Sequence, residues 1–205
     1  MITIAALYVD LPRGPYAHLD GVDPWDETRD ARTYNGPHPV VAHPPCGPWG
    51  RLRHLYRGNE HDCAPRAVEQ VRSFGGVLEH PAGSKLWEAC GLNEPWERGW
   101  RDEGESRWHR TSDTDFHGGY TIELDQCEWG HVARKRTWLY LVGVPRSALE
   151  APPFPGRAPT HRIGSSTCGR TNGTRLRSAS AQQRRRTPPE FAAYLVRLAR
   201  SVVRP

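Results

Sequence analysis

The chain has 205 residues, of which 25% are charged, and carries a net charge of +5. It contains no apolar run approaching the roughly 18 residues that a membrane helix needs, so we expect neither a membrane span nor a membrane partner. Its five cysteines are odd in number and form no Cys-x-x-Cys pair. This favours free thiols in a reducing, cytoplasmic setting over a disulfide framework.

The positive charge comes almost entirely from arginine, since only two of the 28 basic residues are lysines. The planar guanidinium group suits phosphates and base edges, so the composition favours a polyanionic partner such as nucleic acid. A codon bias toward arginine is the alternative explanation.

The first predicted strand covers residues 2–9, which are apolar and partly β-branched. They lack the basic region and cleavage site of a secretory signal. A loop with two prolines and a glycine follows at residues 11–15. Residues 16–39 are polar and rich in Pro and Gly, and they predict at most a short helix over 25–33, capped by Asp23.

The most informative stretch is Val-Val-Ala-His-Pro-Pro-Cys-Gly-Pro-Trp-Gly at residues 40–50. Its apolar start predicts a buried strand, which must end at the prolines because they cannot donate to a sheet ladder. Cys46 then lies on a stiff loop beyond the carboxyl end of a strand, where open α/β sheets bind ligands. We expect it to be a nucleophile, with His43 and Trp49 beside it. A buried, inert cysteine is the alternative.

Residues 51–57, Arg-Leu-Arg-His-Leu-Tyr-Arg, have the composition of a nucleic-acid contact loop or equally of a solvated helix. A helix with one apolar face is predicted over 62–74, followed by a short strand over 77–81. This βαβ unit makes its two strands parallel and brings Cys46 and Glu79 to one sheet edge. An ionised carboxylate at the end of a buried strand loses its hydration, which costs free energy. We therefore expect Glu79 to be functional; a structural ion pair is the alternative.

The rest of the chain predicts a short helix over 85–90, strands over 120–125 and 137–143, and a last helix from Thr187. The basic turn between the two strands could bind phosphates or a base. The basic run at 182–186 suits either solvent or a phosphate. Together the elements predict one α/β domain over residues 1–205, with a mostly parallel sheet and flanking helices. An irregular insertion is expected at about 92–119, and a loop-rich, flexible segment at about 151–186.

Four short motifs, in this order, resemble the DNA cytosine-5 methyltransferase family. Pro44-Pro45-Cys46 resembles the family's nucleophile loop, and Leu78-Glu79-His80-Pro81 resembles its Glu-Asn-Val motif. Residues 126–143 resemble its Gln-x-Arg-x-Arg region, and residues 187–192 resemble its closing helix. The resemblance covers the chain from about residue 40 to its end and implies a Rossmann-like methyltransferase fold of reduced size.

The resemblance also implies roles for individual residues. Cys46 would attack C6 of a cytosine as the thiolate, and C5 would then take a methyl group from S-adenosylmethionine. Glu79 would hold the ring at N3 and the exocyclic amine. Arg134 or Arg136, with Lys135, would steady the base or the nucleophile loop. In duplex DNA the base would have to be flipped out of the helix.

No metal site is predicted, because no standard ligand spacing appears among the His and Cys residues. The resemblance also implies contacts to the cofactor and to the substrate. The cofactor contacts would be Asp10, Pro12, Gly14 and Pro44, and the substrate contacts His43, Trp49, Arg51, His80 and Lys135. The family's glycine-rich cofactor loop, second-strand acidic residue and target-recognition region have no clear counterpart. Two other hypotheses about the function stay open. One is a C5-pyrimidine-modifying enzyme that uses another electrophile or a free nucleotide, and the other is a non-catalytic nucleic-acid-binding protein.

Overall fold

The computed structural model describes residues 2–95, 110–163, 170–171 and 174–203, with the backbone alone for 170–171 and 174–175. The described residues form a seven-stranded sheet in the order β2-β1-β3-β4-β7-β6-β5. Its strands are β1 (Ile4–Leu7), β2 (Val22–Trp25), β3 (Val40–Ala42), β4 (Gly76–Pro81), β5 (Arg110–Thr111), β6 (Gly119–Asp125) and β7 (Arg136–Val142). The α-helices are α1 (Cys63–Phe74), α2 (Leu86–Cys90), α3 (Ala181–Arg185) and α4 (Pro189–Arg200).

The sheet is mixed, although five of its strands run in one direction. Strands β2, β1, β3 and β4 are parallel neighbours. Strand β7 is antiparallel to both β4 and β6, so β6 runs in the same direction as β4. The predicted α/β class with flanking helices is confirmed, and the architecture is compatible with a Rossmann-like fold.

Two hydrophobic layers cover the sheet. Helix α4 packs on one face, where Val41, Val77 and Leu139 meet Phe191 and Leu195. Helices α1 and α2 pack on the other face, against the residues that alternate with these along the strands. Because successive side chains of a strand point to opposite faces, one residue of register decides which layer a side chain joins.

The helix predicted over residues 25–33 is wrong. The chain forms strand β2 there, followed by a short 3-10 helix, Ala31–Thr33, which Asp30 caps. β2 is an edge strand, where a proline is tolerated because one side of the strand needs no ladder hydrogen bonds. Asp23 accepts hydrogen bonds from the side chains of Trp25 and Arg29 and caps no helix.

Parts of the two segments predicted as irregular are ordered. In the 92–119 stretch, β5 pairs with β6, while residues 96–109 lie outside the described residues. In the 151–186 stretch, β8 (His161–Arg162) pairs with β11 (Arg177–Ser178), and β9 (Arg170–Thr171) pairs with β10 (Thr174–Arg175). Residues 164–169 and 172–173 lie outside the described residues. None of the helices described is long and apolar enough to cross a membrane.

Candidate active site at the carboxyl edge of the sheet

Five chain segments meet at one edge of the sheet. In the parallel register Ala42 lies opposite both Leu7 and Leu78, so the chain leaves β1 and β3 at the level where Glu79 enters on β4. The amide of His43 still bonds to the carbonyl of Leu7, at 3.0 Å. Strand β7 runs the other way, which brings its first residues to this edge together with the end of β6. Ligands bind at such an edge in open α/β sheets.

Glu79 is the centre of this edge, buried to 7% exposure. Its Oε2 lies 3.0 Å from Nδ1 of His43, and its Oε1 accepts a hydrogen bond of 2.8 Å from Nε2 of Gln126. Nζ of Lys135 is 3.8 Å from the same Oε1, and the hydroxyl of Thr137 is 3.5 Å from it. Burial alone would raise the pKa of Glu79, but Lys135 and His43 outweigh it and hold the pKa well below its usual range. The carboxylate is therefore ionised at neutral pH.

A hydrogen-bonded chain runs from Glu79 through His43 to Tyr16. The hydroxyl of Tyr16 lies 2.6 Å from Nε2 of His43. Because the carboxylate can only accept, a neutral imidazole carries its proton on Nδ1, and the Tyr16 hydroxyl donates to Nε2. Burial and then the charge of Glu79 raise the pKa of Tyr16 well above its usual value, so the hydroxyl keeps its proton.

Cys46 is exposed on a compact loop beside this chain. Its carbonyl accepts hydrogen bonds from the amides of Trp49 and Gly50, at 3.1 and 2.8 Å. Desolvation by the surrounding protein, and next the charge of Glu79, raise the pKa of the thiol, whereas Lys135 acts in the opposite direction. The charge of Glu79 thus reaches the sulfur of Cys46.

Of the three basic residues predicted in this region, the structure brings only Lys135 to Glu79. Lys135 and Thr137 point to one side of the chain as it enters β7, and the two arginines between and before them point away. Arg134 forms an ion pair of 3.0 Å with Asp125, and Arg136 one of 2.8 Å with Glu123. These four charged side chains line a separate polar cavity of about 260 Å³.

His80 lies on the opposite face of β4 from Glu79, under the Cys46 loop. It is fully buried, with its ring 6.3 Å from that of Trp87. Burial lowers the pKa of His80 to about 4, although Glu79 and the Pro45 backbone act in the opposite direction. The ring is therefore neutral at pH 7. Within the described residues neither ring nitrogen makes a hydrogen bond of good geometry, although the Pro45 backbone lies near enough to act on the pKa.

The loop after β1 holds the residues predicted to contact a cofactor. Asp10 and Pro12 are exposed, and the amide of Gly14 donates a hydrogen bond of 2.9 Å to the carbonyl of Asp10. A Cβ on Gly14 would lie 2.3 Å from that oxygen, so the tight turn requires glycine. The turn leads into the short 3-10 helix Pro15–His18 that carries Tyr16.

The remaining predicted residues flank the nucleophile. Pro44 is buried at the end of β3, Trp49 is half-buried on the Cys46 loop, and Arg51 is exposed. No hydrogen-bond partner among the described residues faces the indole nitrogen of Trp49.

Four polar residues of this edge were missed by the sequence analysis. Tyr16 could have been suspected only from its place in the loop after the first strand. Gln126 and Thr137 lie inside the stretch that resembles the Gln-x-Arg-x-Arg region, but no role was predicted for either. Asp26 directly follows β2, the strand that was not predicted because it contains Pro24.

Comparison with known proteins adds no assignment. Within the described residues there is no group of three His, Cys, Asp or Glu side chains arranged to hold a metal ion. The chain matches no protein-family model, no curated protein and no solved structure.

Proposed function

We propose that this protein is a cytosine-5 DNA methyltransferase-like enzyme, in which Cys46 adds to C6 of a pyrimidine and C5 takes a methyl group from S-adenosylmethionine. The observation that carries the proposal is an exposed thiol on the loop after β3 together with a buried, ionised carboxylate on β4, whose charge raises the pKa of that thiol. A buried carboxylate with four polar neighbours is held in one position, as recognition of a single ring requires.

The addition balances with the groups at this edge. The sulfur of Cys46 forms a bond to C6, and the electron pair of the C5–C6 double bond moves through the ring toward N3. The proton lost from sulfur is balanced by one gained at N3. Because the pKa of the thiol is raised, Cys46 rests in the protonated form and is deprotonated when the addition takes place.

Glu79 suits recognition of cytosine. An ionised carboxylate accepts hydrogen bonds and donates none, so it matches the exocyclic amine of cytosine and a protonated N3. The same carboxylate would accept a hydrogen bond from the N–H group that N3 gains during the addition. His43 and Gln126 each occupy one oxygen of the carboxylate and fix its plane.

Lys135 has two effects in the proposed reaction. Its ammonium group offsets the charge of Glu79, and it lowers the pKa of the Cys46 thiol. Only 16% of its side chain is exposed, so its charge is weakly screened by solvent. Lys135 therefore favours the ionised form of both reacting groups.

The residues around the end of β1 fit S-adenosylmethionine by their chemistry. Asp26 follows β2, where an acidic side chain can accept hydrogen bonds from ribose hydroxyls. The exposed carboxylate of Asp10 would attract the ammonium group of the methionine part. Pro12, Gly14 and Pro44 would complete the same binding site. When bound, the cofactor supplies an electrophilic methyl group.

A covalent trap tests the proposal. After methyl transfer, release of the enzyme requires loss of the proton at C5, and fluorine cannot be lost from C5 as a cation. With S-adenosylmethionine present, DNA containing 5-fluorocytosine should therefore remain bound to the enzyme through Cys46. We expect a denaturation-resistant complex that is absent with Cys46→Ala and retained with Cys90→Ala. Cys90 is a matched control, because it is a partly accessible free thiol on α2, outside the candidate site. Absence of any complex would contradict the proposal and favour the non-catalytic nucleic-acid-binding protein.

A second candidate keeps the thiol addition but uses another electrophile, or a free nucleotide. It is favoured by the turn after β1, whose single glycine commits its amide to Asp10 instead of leaving it free for a ligand. Calorimetric titration with S-adenosylmethionine separates the two candidates. A trapped complex without measurable binding of the cofactor would select the second.

A further inference from the structure

A polar cavity of about 260 Å³ lies where β6 ends and β7 begins. Pockets that hold drug-sized ligands and cofactors usually have volumes of about 300–1000 Å³. This cavity is smaller, so it suits a ligand of about the size of one nucleobase. Six of its lining residues are charged: Arg110, Glu123, Asp125, Glu128, Arg134 and Arg136.

Two of the three arginines of the cavity are held in place by carboxylates. Arg136 donates three hydrogen bonds of 2.8–3.0 Å to Glu123, and Nε of Arg134 lies 3.0 Å from Asp125. The two carboxylate side chains are only 13% and 19% exposed, and Glu123 also accepts a hydrogen bond from the indole of Trp138. Carboxylates committed in this way orient the guanidinium groups and leave the other N–H groups of the two arginines for a ligand.

One further arginine and one further carboxylate of the cavity have groups to spare. Arg110 is exposed, and within the described part of the chain no carboxylate lies within 4.0 Å of its guanidinium group. Oε1 of Glu128 accepts a hydrogen bond of 2.7 Å from the amide of Gly156, and among the described residues nothing donates to its Oε2. The three basic and three acidic side chains of the lining balance in charge. A neutral ligand that both accepts and donates hydrogen bonds therefore complements this lining better than an anion does.

We infer that this cavity binds a guanine base of the nucleic acid on which the protein acts, close to the pyrimidine that Cys46 attacks. Guanine has two adjacent acceptors, O6 and N7, which match the fork of a guanidinium group such as that of Arg110. It also has two adjacent donors, N1–H and the 2-amino group, which match a carboxylate such as that of Glu128. No other base of DNA has both pairs. The inference rests on the proposed function and extends it from one pyrimidine to the sequence around that pyrimidine.

The cavity lies close to the proposed target site. Arg134 and Arg136 line the cavity, whereas Lys135 between them points the other way and lies 3.8 Å from Glu79. The amide of Lys135 donates a hydrogen bond of 3.1 Å to Asp125, which also lines the cavity. The thickness of one strand therefore separates the two sites, which is close enough for two nearby nucleotides of one nucleic-acid strand.

Binding of single strands with one cytosine and one guanine tests the cavity, with the guanine placed at each nearby position in turn. Single strands are used because a base that enters a cavity must leave its stack. Fluorescence anisotropy gives the dissociation constants without any chemical step. At one position of the guanine we expect about tenfold weaker binding when inosine, which lacks the 2-amino group, or 7-deazaguanine, which lacks N7, replaces it. Equal affinities for the three bases at every position would overturn the inference.

Two variants assign the two edges of the base. Arg110→Gln should abolish the preference for guanine over 7-deazaguanine, and Glu128→Gln should abolish the preference for guanine over inosine. Arg177→Gln is the matched control, because Arg177 is an exposed arginine on β11 and does not line the cavity. It removes the same charge as Arg110→Gln and should leave both preferences unchanged. Preferences that survive in both cavity variants would place the guanine elsewhere and overturn the inference.

The covalent 5-fluorocytosine complex separates failure of the cavity from failure of the proposed function. A guanine preference that is lost in the cavity variants supports the guanine site even if no covalent complex ever forms, and the proposed function alone would then fail. A complex that forms at the same rate and with the same affinity beside guanine, inosine and 7-deazaguanine would overturn the guanine site and leave the proposed function in place.

Discussion

Replacing Lys135 tests how the buried carboxylate is held. In the variant Lys135→Met the ammonium group 3.8 Å from Oε1 of Glu79 is lost. At that distance the attraction between unit charges is about 4 kcal/mol for an effective dielectric constant of ~20. His43 and Gln126 still bond to the carboxylate. We therefore expect the free energy of unfolding to fall by about 2–3 kcal/mol at pH 7.

The only other lysine of the chain provides the control. Lys85 pairs with Glu88 at 2.9 Å, but the two side chains are 54% and 73% exposed. Water and salt screen such a pair, so Lys85→Met should change the stability far less. Urea unfolding of the three proteins measures the difference.

The pH dependence gives a sharper test of the same pair. The folded-state pKa of Glu79 lies below its unfolded value. The stabilisation by Lys135 is therefore present above the ordinary carboxyl range and is lost as the pH falls through the folded-state pKa. Without Lys135 the carboxyl is protonated at higher pH, so the gap between wild type and variant should narrow as the pH falls from 7 toward 3. A gap that is independent of pH, or no larger than that of the Lys85 variant, would refute this reasoning.

Three further predictions follow. Tyr16→Phe leaves Nε2 of His43 without its buried donor and should lower the free energy of unfolding by about 1–3 kcal/mol. The covalent 5-fluorocytosine complex should also form more slowly, and an unchanged rate would show that Tyr16 does not belong to the site. Alkylation of Cys46 by iodoacetamide should rise with pH to a midpoint above that of a free cysteine, because desolvation by the surrounding protein and the charge of Glu79 raise its pKa. A midpoint below that of a free cysteine would contradict the described surroundings. Gly76→Ala should lower the free energy of unfolding by more than about 3 kcal/mol, because the new Cβ would lie 2.0 Å from a carbonyl oxygen of β3 and φ is +124°. Gly83→Ala is the control: φ is also positive there, but no atom lies within 4 Å of the new Cβ, so the loss measured by urea unfolding should be smaller.

The convergence of Cys46 and Glu79 could be predicted because it depends only on the direction of strands. A strand, a helix and a strand in this order are parallel, so the residues that follow the two strands meet at one edge. The proline after each apolar run also marked the end of the strand correctly for β3 and β4.

The choice between lysine and arginine before β7 could not be predicted, since it depends on the phase of the side chains along the strand. A shift of one residue would have exchanged Lys135 for Arg134 or Arg136. The contact between Tyr16 and His43 could not be predicted for a different reason. It joins two loops whose paths are set by turn geometry, and no periodic pattern in the sequence indicates it. Strand β2 was missed because local propensity counts against Pro24, whereas an edge position removes that penalty.

The most direct measurement of the central claim is the mass and the attachment site of the trapped complex. The protein would be incubated with duplex DNA containing one 5-fluorocytosine and with S-adenosylmethionine, then digested and analysed by mass spectrometry. We expect a nucleotide attached to the peptide that contains Cys46, with one added methyl group on its ring. Attachment at another cysteine, or no attachment while the DNA remains bound, would contradict the joint action of Cys46 and Glu79 on one pyrimidine.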